Sequence, residues 1–195
     1  MKKKAVLLLG LTLIVALAIA ASYQSGVSEG YRRAASLHID VGTGYCAHII
    51  VKVERADGTV ELIKDGVALN NAGVLTDIGK DWIEDQLGDS PSADPAKWIS
   101  LSNDSSSPSS TWTQIPNELT SDGLTRTAGT YSSLGTGQWK IEYQFTATGT
   151  VNDVQLTGLN WAASGDNNLL CADTFTAVTL NNGDKLTVTW TITVS

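Results

Sequence analysis

Two histidines and two cysteines are all that 195 residues supply of the side chains most used in general-base, thiol and transition-metal chemistry. His38 and His48 stand in separate strand-like segments, so neither a paired-histidine metal site nor a histidine base is expected. Cys46 and Cys171 are too far apart in sequence to form a metal-binding cysteine pair. The chain has no Gly-x-Ser-x-Gly elbow and no phosphate-cradling glycine loop, and its carboxylates are scattered through turns. The serine run from Ser105 to Ser110 has no partner base near it. Together these absences argue against an enzyme and against a resident cofactor. Basic residues are also few, 13 Lys and Arg against 20 Asp and Glu, and no basic stripe interrupts the acidic balance. Nucleic acid is therefore not an expected partner.

Long apolar runs are absent but for one. Lys2, Lys3 and Lys4 precede an apolar stretch from Ala5 to Ala21, relieved by Gly10 and Thr12 and ending in Ala18-Ile19-Ala20-Ala21-Ser22. A cationic start, an apolar centre and a small-residue exit predict a secretory signal peptide over residues 1–22. Cleavage after Ala20 or Ser22 fits equally. An uncleaved anchor is the first rival, since the run has the length of a short membrane span. A pilin-type leader, cut before the run, is the second. The small-residue exit favours cleavage, which leaves no membrane segment and places the protein outside the cell or at its surface. Loss of the three lysines takes the formal net charge from -7 to -10.

Export changes the reading of the cysteines. In an oxidising compartment Cys46 and Cys171 are expected to form a disulfide, worth about 5 kcal/mol in the chain-entropy model for so long a loop. The other reading is two independent buried thiols, since both lie in apolar strand-like contexts.

The remaining chain is punctuated by turns. Residues 23–35 are polar, a flexible lead. Residues 36–41 then alternate, with Leu37, Ile39 and Val41 on one face. A domain over residues 46–195 follows. Ala47 to Glu54 and Thr59 to Lys64 flank Asp57-Gly58, a hairpin signal. Leu75, Ile78, Trp82, Ile83 and Leu87 recur at helical spacing, with Thr76 or Asp77 as the cap and Gly88 as the stop. Further strands are predicted at Lys97 to Ser102, Leu124 to Tyr131, Gly137 to Thr148, Thr150 to Trp161, Leu169 to Val178 and Lys185 to Ser195. Two of them alternate without error. Trp139, Ile141, Tyr143, Phe145 and Ala147 form one apolar row, and Leu186, Val188, Trp190, Ile192 and Val194 form another. One buried and one wet face is the mark of antiparallel sheets. The prediction is an all-β antiparallel sandwich, jelly-roll or immunoglobulin-like, with one short amphipathic helix plugging an open end.

Some loops invite a ligand. Asp166-Asn167-Asn168 and Asn181-Asn182-Gly183-Asp184 offer hard oxygens of the calcium type. The same residues are what tight turns demand, and turn chemistry is the favoured account. Asn103-Asp104-Ser105 is a glycosylation sequon within a solvated serine loop. Six tryptophans raise a glycan-binding face, although Trp82, Trp139 and Trp190 fall on buried parities.

The stretch Asn70-Asn71-Ala72-Gly73-Val74-Leu75-Thr76-Asp77-Ile78-Gly79-Lys80-Asp81-Trp82-Ile83 resembles a β-sandwich module of tailed-phage and archaeal-virus virion proteins. So do Asn152 to Leu159, Leu169 to Phe175 and Gly183 to Ile192. The leader departs from that pattern. An exported sandwich with a short N-terminal strand is instead similar to subunits of archaeal extracellular threads and bundling pili, and to bacterial biofilm-matrix fibre proteins. That resemblance implies a homopolymer built by donor-strand complementation, with Leu37, Ile39 and Val41 as the anchors. A monomeric surface module for glycan or host surface, and a virion component, are the alternatives.

Overall fold

The computed structural model describes residues 44–66, 72–88, 91 and 94–194. The expected leader, the lead over residues 23–35 and the strand over residues 36–41 with its three anchors lie outside the described residues.

The chain forms β1 (Tyr45–Glu54), β2 (Val60–Asp65), β3 (Val74–Leu75), α1 (Asp77–Gly88) and β4 (Trp98–Ser102). It continues through β5 (Thr127–Ala128), β6 (Thr130–Gly135), β7 (Gln138–Thr146), β8 (Val151–Asn160), β9 (Leu169–Leu180) and β10 (Lys185–Val194). Two five-stranded sheets result, β2-β1-β10-β7-β6 and β3-β9-β8-β4-β5. Every pairing is antiparallel. The predicted sandwich is the observed fold.

Period-2 alternation aims one row of each strand between the sheets. Ile49, Val51, Val188, Trp190 and Phe145 of the first sheet meet Ile99, Leu101, Leu159, Cys171 and Leu180 of the second, all of them buried. The opposite row of β10 was expected to be wet, yet Thr189 and Thr191 are buried. β10 is flanked on both sides, and its threonines bond to polar groups of β7: Thr189 donates to Glu142 at 2.7 Å, and Gln138 and Gln144 donate to Thr193 and Thr187.

The Thr76 hydroxyl caps α1 by accepting the Gly79 N–H at 3.0 Å, and itself donates to carbonyls of β9. The helix does more than plug an end. Trp82 and Ile83 pack on the core between the sheets, while Ile78 joins a second cluster of Ile115, Leu156, Leu169 and Ala172. Trp112 packs on that cluster too, so the residues after the serine run form a cover for the second sheet. Among the described residues, no helix is long and apolar enough to cross a membrane.

The two long sides of the sandwich are built differently. On one side β5 pairs with β4 in the second sheet, and after Gly129 the same stretch of chain pairs with β7 in the first. A β-carbon on Gly129 would stand 2.6 Å from Ile141 Cγ2 and 3.1 Å from the Glu142 carbonyl. Replacing Gly129 by valine is therefore expected to cost about 1–3 kcal/mol through overpacking at this corner. A lower urea midpoint at unchanged slope is the result that checks it.

Candidate functional site

The other long side is an open seam. There the second sheet ends on the two-residue β3, which covers β9 only at Val74↔Ala172 and Leu75↔Cys171. Residues 173–180 of β9 have no strand partner on that side among the described residues. Facing them across the seam is β2, the edge of the first sheet. Two surface depressions of about 760 and 420 Å³ run along it, sharing Ile63 and Thr176, so that they form one groove. Leu62 on its rim is 58% exposed.

Side chains bridge the seam near each end. Lys64 Nζ on β2 donates to Asp173 Oδ2 at 2.6 Å and to the Thr174 carbonyl at 2.7 Å. Arg55 donates to the Thr179 carbonyl at 2.8 Å and to Asp184 Oδ2 at 3.0 Å. Cations thus occupy two edge carbonyls that would otherwise await a strand, a recognised way of blunting an exposed edge. Asp173 is buried, and desolvation pushes its carboxyl up against the opposing pull of Lys64. Asp184 behaves in the opposite way. It accepts the N–H of Asn181 at 3.0 Å and of Ala56 at 2.9 Å, and these bonds with Arg55 hold it below the usual carboxylate range.

The turn reading of the Asn/Asp loops has direct structural content. Asn168 donates to three carbonyls of its own loop and accepts from Arg126 at 2.7 Å. Asp184 is committed to the seam. Among the described residues no group of three His, Cys, Asp or Glu is placed to hold a metal ion.

The expected Cys46–Cys171 bridge is absent, and both cysteines are thiols. Strand parity is the reason. Ala47, Ile49, Val51 and Val53 of β1 face the core, which turns Cys46 to the outer face beside His48, with Nε2 3.1 Å from its sulfur. Cys171 lies in the core between the sheets. Burial raises the thiol pKa of both, and far more for Cys171.

Two other features concern ligands. Asn103 is exposed in the loop after β4. Near α1, a cavity of about 420 Å³ is walled by Tyr45, Trp82, Ile83, Trp139, Leu159 and Ile192. Trp82 stacks on Trp161 at 5.6 Å, so its ring is packed against protein and not displayed.

Sequence reading did not find Lys64, Asp173 or Arg55, because each acts on a partner more than a hundred residues away. Only the turn signal at Asn181-Asn182-Gly183-Asp184 pointed near the seam. No family model, curated protein or solved structure matches this chain.

In the folded protein one thiol, Cys46, is expected to alkylate, with Cys171 following only on unfolding and without any reductant. Intact mass before and after denaturation reads this directly. Asp184 supplies the pH prediction. A carboxylate depressed by folding adds stability that is complete above its unfolded pKa of about 4 and is lost as pH falls through the folded value. Asp184→Asn should cost about 1–3 kcal/mol at neutral pH by weakening its buried hydrogen bonds. Urea unfolding should show that gap closing below about pH 4.

Proposed function

We propose that the protein is a non-catalytic structural subunit that polymerises outside the cell. In this reading residues 36–41 of one copy lie along β9 of the next. The observation that carries it is the edge of β9 over residues 173–180, without a strand partner among the described residues and long enough for a six-residue strand. It is flanked by a groove that mixes charged side chains with Leu62, Ile63, Phe175 and Val178. An added strand gains ladder hydrogen bonds and buries alternate side chains, and head-to-tail repetition gives an open filament. Burial of Leu37, Ile39 and Val41 would contribute about 5 to 8 kcal/mol per junction before ordering costs. The N-terminal leader supports export, and the exposed Asn103 sequon suits an extracellular surface carrying glycan.

A second reading, a monomeric surface binding module, has the cavity near α1 in its favour. The wall residues named there suit an apolar group better than a sugar. The virion reading rests on sequence resemblance alone.

Electron microscopy of the purified mature protein separates these readings. Wild-type protein should form filaments, whereas Ile39→Asp in the donor and Leu62→Asp on the groove rim should each give folded monomers. Normal filaments from Ile39→Asp would remove the donor role of this strand. Failure of that variant to fold would place the strand within its own sandwich. Wild-type protein that stays monomeric would favour the binding module.

A further inference from the structure

Lys64 and Asp173 meet in an arrangement suited to more than an ion pair. Their side chains are 10% and 9% exposed, and Nζ stands 2.6 Å from Oδ2. The two carboxylate oxygens have different partners: Oδ1 accepts the Thr174 N–H at 2.8 Å, while Oδ2 faces the amine. Nζ is held from a second direction by the Thr174 carbonyl at 2.7 Å. The backbone at Gly73 passes close to the stem of Asp173. A β-carbon there would lie 3.2 Å from the Asp173 β-carbon and 3.1 Å from the Trp190 ring. One amine and one carboxyl are thus in contact, oriented and largely sheltered from water.

We propose that Lys64 and Asp173 condense to an intramolecular amide, joining β2 of the first sheet to β9 of the second. Proton transfer from Nζ to Oδ2 converts the ion pair into an amine and a carboxylic acid. A shelter of low polarity favours these neutral forms, and burial already pushes the Asp173 carboxyl up. The nitrogen lone pair then attacks Cγ. Negative charge develops on Oδ1, where the Thr174 N–H is in place to receive it. Collapse breaks the Cγ–Oδ2 bond, and that oxygen takes a second proton from nitrogen and leaves as water. One N–C bond forms, one C–O bond breaks and one water is released, with no oxidant and no co-reactant. Contact geometry replaces the encounter of separate reactants. The product also removes two buried charges that the folded state must otherwise hold out of water. This cross-link concerns one chain only, so it is independent of polymer formation.

The test is the mass of the folded full chain and the map of its peptides. The expected mass is lighter than the sequence by one water, and digestion should yield one branched peptide joining the Lys64 and Asp173 fragments. Lys64→Met and Asp173→Ala should each restore the full mass and abolish the branched peptide. Should either variant fail to fold, the wild-type map still decides. A folded wild-type chain of full mass, giving separate Lys64 and Asp173 peptides even after prolonged warming, overturns the proposal. A lost water that persists in Lys64→Met overturns it equally.

Discussion

A sandwich of two sheets has two long sides, and the backbone bordering each must find partners or meet water. Here one side is closed by the chain itself. The stretch from β5 to β6 changes sheets within a single residue, Gly129, because only a residue without a β-carbon lets the backbone pass so near Ile141 and Glu142. On the other side the described chain passes from one sheet to the other only at residues 73–75, where Gly73 donates to the Ala47 carbonyl of β1 and β3 pairs with β9. Along residues 173–180 of β9 closure falls to side chains. Lys64, Asp173, Arg55 and Asp184 span it, and much of the remaining character of the molecule follows from that asymmetry.

The energetics of the two sides differ accordingly. Apolar burial and ladder hydrogen bonds hold the corner at Gly129, and both are insensitive to pH. The seam depends on charges taken largely out of water, whose attraction must offset a large desolvation cost. Asp184 meets that cost with two backbone N–H groups and a guanidinium, and its carboxylate is favoured. Asp173 has one backbone N–H and one ammonium within a more apolar setting, and its neutral form gains ground. Two aspartates on one seam are thus pushed in opposite directions by what surrounds them.

An edge that is bridged but not covered can serve as a joint. Pairing along residues 173–180 of β9 would complete the second sheet with a strand from elsewhere, and the Lys64 and Arg55 bridges would mark the ends of the available ladder. The threonine face of β10 cannot play that part. It is flanked by β1 and β7, and its hydroxyls are already engaged. The cavity near α1 shares no lining residue with the seam, so the two are separate places on the molecule.

Local pattern made much of the fold legible. Strict alternation in β7 and β10, Asp57-Gly58 between β1 and β2, and the Thr76 cap before α1 each act over a few residues, where side-chain period and turn chemistry suffice. In β1 the structure shows the same parity, with Ile49 and Val51 turned to the core. The disulfide expectation rested on compartment, and the outward turn of Cys46 that this parity dictates is what separates the two sulfurs. Sheet order, the second cluster around Ile115 and the seam were beyond reach, since none has a local period. That β10, last in the chain, becomes the centre of the first sheet depends on which edges remain unpaired once the others have met. That Lys64 finds Asp173 depends on how two sheets face one another across 109 residues of chain. The stretch expected as one strand over Leu124 to Tyr131 divides at Gly129 between the two sheets. Sequence alone therefore determined most of the strands, the apolar rows of β7 and β10 and the helix cap, because those obey nearest-neighbour geometry. Only the tertiary structure decided which edge stays open and which charges guard it, because those depend on the packing of distant strands.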